Sequence, residues 1–222
     1  MTNTPKGTTN TTTHQAASVG PLNEWRRLNL RVKGQPKHFK NHSQRILFAL
    51  QHKLHQYLPG ALQDLFIALG DSGRPLRVRL YSLVLPLLDQ HDREYFHEWL
   101  AHDSDATLGS YRFPGSVLIS QTAHHEQTEP DPYSPPDAGT VIERSRHAIT
   151  YGRTEIAQTL LEEACLNQST RPDIGLVEEL LSFYAATRQR GALEQFANYL
   201  KQQHKFNLSD HWKQVLESAK EW

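Results

Sequence analysis

The sequence predicts an all-α protein, with an N-terminal helical unit followed by C-terminal TPR-like antiparallel helical hairpins of the α-solenoid type. Three observations carry that prediction. Apolar residues recur at three- and four-residue spacing from Ile46 onward. Two stretches near the C-terminus superimpose when the chain is shifted by 36 residues. Between the two patterned regions, residues 103–137 carry Gly109, Pro114, Gly115 and a run of Pro130, Pro132, Pro135 and Pro136, which reads as an irregular Pro-rich linker.

At 222 residues, the chain is long enough for one sizeable domain or two small ones. Its apolar fraction of 37% and charged fraction of 22% are lean for a compact globule, so part of it is expected to lie outside any core. Residues 1–20, rich in Thr with Asn, Gly and Ser, are the candidate disordered tail. Lysine plus arginine balance aspartate plus glutamate, which argues for no particular partner, but the charge is unevenly spread. No acid lies between Trp25 and Gln63, whereas Arg26, Arg27, Arg31, Lys33, Lys37, Lys40, Arg45 and Lys53 are all basic. Gly34 and Pro36 mark residues 21–42 as a mostly irregular basic arm, with a short helix around 24–30.

The N-terminal helical unit spans 43–102. Ile46, Leu47, Leu50, Leu54, Tyr57 and Leu58 draw one stripe on a helix capped by Ser43 and ended by Pro59-Gly60. Leu62, Leu65, Phe66 and Leu69 line a second, stopped by Gly70. Ser72 and Pro75 open a third, which Pro86 breaks near Leu85. A fourth from Asp92 buries Tyr95, Phe96, Trp99 and Leu100. In the linker, Val117-Leu118-Ile119 reads as a short strand or an extended segment packed on a neighbour.

Residues 138–222 hold the repeat. The shift places Ala148 on Tyr184, Ala157 on Leu193, Leu160 on Phe196, Leu161 on Ala197 and Ala164 on Leu200. Turns are expected at Gly152-Arg153-Thr154-Glu155 and Arg188-Gln189-Arg190-Gly191. A helix, a short turn and a second helix in a unit of this length are the dimensions of a tetratricopeptide repeat. Leu208, Trp212, Val215, Leu216 and Ala219 would form a capping helix started by Ser209 or Asp210.

Ala148-Ile149-Thr150-Tyr151-Gly152-Arg153, Ala157-Gln158-Thr159-Leu160-Leu161-Glu162-Glu163-Ala164, Leu180-Leu181-Ser182-Phe183-Tyr184-Ala185-Ala186 and Trp212-Lys213-Gln214-Val215 resemble the cytoplasmic tetratricopeptide region of FimV-type proteins. Those are bacterial polar scaffold proteins linked to type IV pili. The resemblance covers 138–222 and implies a bacterial scaffold or adaptor.

Several catalytic patterns fail on geometry. His97 and His102 bracket a sequence like the HExxH zinc motif but are five residues apart, so on a helix they diverge by ~140° where a four-residue step gives ~40°. His124-His125-Glu126 has no third ligand nearby in sequence. Gly70-Asp71-Ser72-Gly73-Arg74-Pro75 approaches the trypsin-like nucleophile motif, yet it sits between helical patterns and serves as a turn. No Gly-rich phosphate cradle occurs, so neither metal nor cofactor is expected. The lone Cys165 lies in an apolar helical pattern beside Glu162 and Glu163 and reads as a packing residue. Without an apolar span or secretory core, the chain is expected to be cytoplasmic.

The functional expectation is a non-enzymatic adaptor or scaffold that holds a partner peptide or helix in a groove containing Arg144, His147, Tyr151, Tyr184 and Arg188. One alternative is nucleic-acid binding through residues 25–53, whose eight cations are interleaved with Trp25, His38 and Phe39. A second is an enzyme whose site is assembled from residues far apart in sequence.

Overall fold

The computed structural model describes residues 13–70, 72–102, 111–119, 139–166 and 173–222. These form ten α-helices and no strand. They are α1 (Thr13–Gly34), α2 (Phe39–Gln51), α3 (Leu58–Leu69), α4 (Arg74–Val84), α5 (Gln90–His102), α6 (Val141–Thr150), α7 (Thr154–Leu166), α8 (Ile174–Ala186), α9 (Arg190–His204) and α10 (Asp210–Ser218). No helix among them is long and apolar enough to cross a membrane. Residues 1–12, most of the Pro-rich stretch and His124-His125-Glu126 lie outside the described residues.

The expectation of an irregular basic arm is corrected. A continuous helix, α1, takes its place and runs to Gly34. Trp25, Leu28, Asn29 and Val32 are buried, at the spacing of one helical face. The cations fall mainly on the other faces, so an amphipathic helix was hidden under a basic composition. A second correction concerns the helix expected from Ser43 to Leu58. It begins at Phe39 and ends at Gln51, and Pro59-Gly60 lie in the first turn of α3. Proline is tolerated there because its missing N–H would be unpaired in any case.

Two apolar clusters form. The first joins Trp25 of α1 to Ile46, Leu62, Leu65, Phe66, Phe96 and Trp99 of α2, α3 and α5. Rings of Phe66, Phe96 and Trp99 pack edge-on or stacked, with centroids 5.0–6.3 Å apart. The second collects Ala148, Ala157, Leu161, Leu180, Leu193, Phe196 and Trp212 from α6 to α10, and Leu30 of α1 reaches into it. Cys165 is buried in this second cluster, and burial pushes its thiol up to about 11, which suits a packing role.

Helix α1 and the segment 111–119 tie the clusters together. Helix α1 packs against α2, α6 and α8. Residues 111–119 are irregular, with a turn at Pro114-Gly115, and Phe113, Ser116 and Val117 are buried, so this part of the expected linker is a packed element.

Candidate functional site

The same hydrogen-bonded turn closes both C-terminal helix pairs. In the first, Gly152 N–H donates to Ile149 O at 3.1 Å and Arg153 N–H to Ala148 O at 2.8 Å. In the second, Arg188 N–H donates to Ala185 O at 3.2 Å and Gln189 N–H to Tyr184 O at 3.0 Å. Every donor and acceptor is displaced by the 36 residues of the sequence correspondence. Gly152 and Arg188 both adopt left-handed backbone, with φ of 81° and 54°. This is the Schellman termination of a helix, which satisfies its last carbonyls with the following N–H groups. The α2–α3 turn repeats it at Lys53, with φ of 57°.

Helix α1 crosses both turns. At the first, Trp25 Nε1 donates to Thr150 O at 2.9 Å, Asn29 Nδ2 to Ile149 O at 2.9 Å, and Arg26 Nε to Thr150 Oγ1 at 2.7 Å. Five residues beyond Asn29, Gly34 meets the second turn so closely that a Cβ on it would lie 2.7 Å from Ala186 O. Only glycine fits that crossing.

The first turn is also covered by residues 112–118. Gly115 N–H donates to Tyr151 O at 3.0 Å, and Arg112 Nη2 donates to Gly152 O. A Cβ on Gly152 would fall 2.1 Å from Ser116 O, so the close approach of this segment requires glycine. The segment is held from its other side by Asp64, which accepts from Ser116 Oγ at 2.7 Å and from the N–H groups of Val117 and Leu118 at 2.9 and 3.1 Å. Fully buried Arg45 pairs with Asp64 at 2.7 Å and lies over the Trp25 ring.

Among the described residues, the second turn is met by α1 at Gly34 but by no counterpart of the 112–118 segment. Between this turn and the α1–α2 loop lies a depression of about 720 Å³ lined by Gln35, Pro36, Lys37, His38 and Arg188. Lys37, His38 and Arg188 are exposed. With its amide turned so that the oxygen faces the guanidinium, Gln35 accepts from Arg188. Helix α2 starts at this wall with no acid in its first turn and no side-chain cap bond from His38.

The structure divides both candidate residue sets. In the basic set, Arg45 is buried in its ion pair, Lys33 bonds Glu155 at 2.7 Å, Arg26 is spent on α6 and Arg27 pairs with Glu24. Arg31, Lys37, Lys40 and Lys53 remain exposed. In the groove set, Tyr184 is core, and burial together with its 2.7 Å donation to Glu162 raises its hydroxyl pKa. Tyr151 packs between Tyr57 and His147, with ring centroids at 5.5 and 4.8 Å. Burial and the nearby Arg26 lower the pKa of His147, and Arg144 is half-buried on the same helix. Arg188 stands apart from these four, beside Lys37 of the other set. Sequence reading missed Gln35 and Pro36 as site residues; the Gly34–Pro36 break between two helices was their only signal.

Among the described residues no group of three or more His, Cys, Asp or Glu is placed to hold a metal. Gly70 and Gly73, from the protease-like motif, are left-handed residues between α3 and α4. Comparison with protein-family models, curated proteins and solved structures finds no match to this chain.

Proposed function

We propose that the chain is a non-enzymatic adaptor or scaffold whose α6–α7 and α8–α9 pairs stack as tetratricopeptide-like units. The observation that supports this reading is the identical Schellman turn recurring at a 36-residue period. The buried ionisable groups fit a structural use: Arg45 and Asp64 hold a peptide segment, and Glu162 holds Tyr184. The resemblance to the FimV-type region gives the proposal its setting, assembly at a bacterial pole or type IV pilus. The test is affinity capture from the source organism with the full chain, with and without nuclease and at two salt concentrations. A partner retained in a nuclease-insensitive manner is the expected result; retention of nothing above a tag-only control would reject the reading.

A second reading, nucleic-acid binding, is favoured by the exposure of Arg31, Lys37, Lys40 and Lys53 in a stretch without acids. It predicts binding to oligonucleotides that falls steeply with salt, because each neutralised phosphate releases a counterion.

A further inference from the structure

The two helix-pair turns are equivalent in backbone geometry and α1 meets both, yet among the described residues only the first is also overlaid by the 111–119 segment. At the first, a turn-containing stretch of the chain's own backbone lies over Tyr151 and Gly152, with Gly115 donating to Tyr151 O. At the second, the depression beside Arg188 is open. We propose that this depression binds an acidic peptide segment of a partner protein, with its carboxylates paired to Arg188 and Lys37. This deepens the adaptor reading and rests on it.

Position 188 sets the chemistry of the occupant. Gly152 admits a backbone to within contact of its Cα, whereas Arg188 replaces that space with a guanidinium. An arginine in left-handed backbone carries a steric cost that glycine avoids. Gln35 lies against the Arg188 guanidinium, and a planar guanidinium is the cation that matches a carboxylate in a two-bond fork. Lys37 adds a second cation, and among the described residues no acid lines the depression. The start of α2 contributes the partial positive charge of a helix N-terminus to the same wall. A nucleic-acid strand fits less well. Lys53 lies beyond the far end of α2, a 13-residue helix and thus roughly 20 Å away, so the cations do not form one continuous track.

The test is fluorescence anisotropy of a fluorescein-labelled peptide rich in Glu and Asp, added to the full chain, with a Ser-rich peptide of equal length as control. Arg188→Gly removes the guanidinium while suiting the left-handed turn, so its melting temperature should not fall. Saturable binding of the acidic peptide alone is expected. Arg188→Gly and Lys37→Glu should each weaken it about tenfold, the loss of one charge-assisted pair. Lys201→Glu, an exposed charge change on α9, should leave it unchanged. The proposal is overturned by absence of binding, by equal weakening in Lys201→Glu, or by an oligouridylate that displaces the peptide at lower concentration. The adaptor reading is separable: if a partner captured by the wild-type chain is still captured by the Arg188→Gly/Lys37→Glu double variant, this site fails while that reading stands.

Discussion

The Arg45 guanidinium and the Asp64 carboxylate meet at 2.7 Å with both side chains wholly buried, and Asp64 alone anchors three consecutive residues of the 111–119 segment. Burial lowers the Arg45 pKa and Asp64 opposes that shift. Removing one partner of such a pair strands the other charge, which costs about 3–5 kcal/mol. Asp64→Ala should therefore destabilise strongly, and Arg45→Met with Asp64→Leu should recover part of the loss of charge while leaving Ser116, Val117 and Leu118 unanchored. Urea denaturation of the two variants checks this; equal stability of Asp64→Ala and wild type would contradict it.

Asp92 gives the fold a pH dependence. Burial, and then neighbouring Asp89, push its carboxyl up to about 6 from an ordinary value of 3.8. An acid whose folded pKa exceeds its unfolded one keeps a proton in the native state that the unfolded chain has released. Its contribution thus favours folding at low pH and is lost as pH rises from about 4 to about 6. Asp92→Asn should raise stability at pH 7 by about 1–2 kcal/mol, with little change at pH 4. Chemical denaturation at the two pH values gives the comparison.

The Gly152 turn predicts a sign opposite to that of Arg188. Gly152→Ala places a Cβ 2.1 Å from Ser116 O on a backbone with φ of 81°, so the 111–119 segment must move. A loss of at least about 2 kcal/mol is expected from strain and lost contacts together. Arg188→Gly relieves the same conformation where no described counterpart of the 111–119 segment lies over it, and should be neutral or stabilising by up to about 1 kcal/mol. Thermal denaturation of both variants reads the difference directly.

Much of the C-terminal fold was legible because its signals are local. The 36-residue correspondence placed both turns within a residue or two of where the Schellman bonds close. Asp92 and Pro86 likewise marked real features of α5 and of the end of α4. What failed was reading composition as structure. The cations of α1 suggested an arm, while Trp25, Leu28 and Val32 already carried a helical face whose fourth member, Asn29, is polar because it bonds the end of α6. The depression could not be found by periodicity, since Lys37 and Arg188 are 151 positions apart and only the crossing of α1 over both turns brings them together.

That crossing makes a fragment of residues 138–222 a poor substitute for the whole chain. Helix α1 supplies Leu30 to the second cluster, and its Trp25 and Asn29 satisfy the carbonyls of Ile149 and Thr150. Without α1 these groups must be met by water and the apolar face it covers is exposed. The two clusters should accordingly unfold as one cooperative unit in the full chain, with near-ultraviolet and far-ultraviolet dichroism tracing the same transition. Trp25→Phe keeps most of the packing but leaves Thr150 O with a weaker set of donors, at about 1–2 kcal/mol. Trp25→Ala also opens a cavity in the first cluster and should cost about 3–5 kcal/mol. If the fragment instead melts as cooperatively as the full chain, and Trp25→Ala leaves the second cluster untouched, α1 is a passive neighbour of the helix pairs rather than the element that orders them.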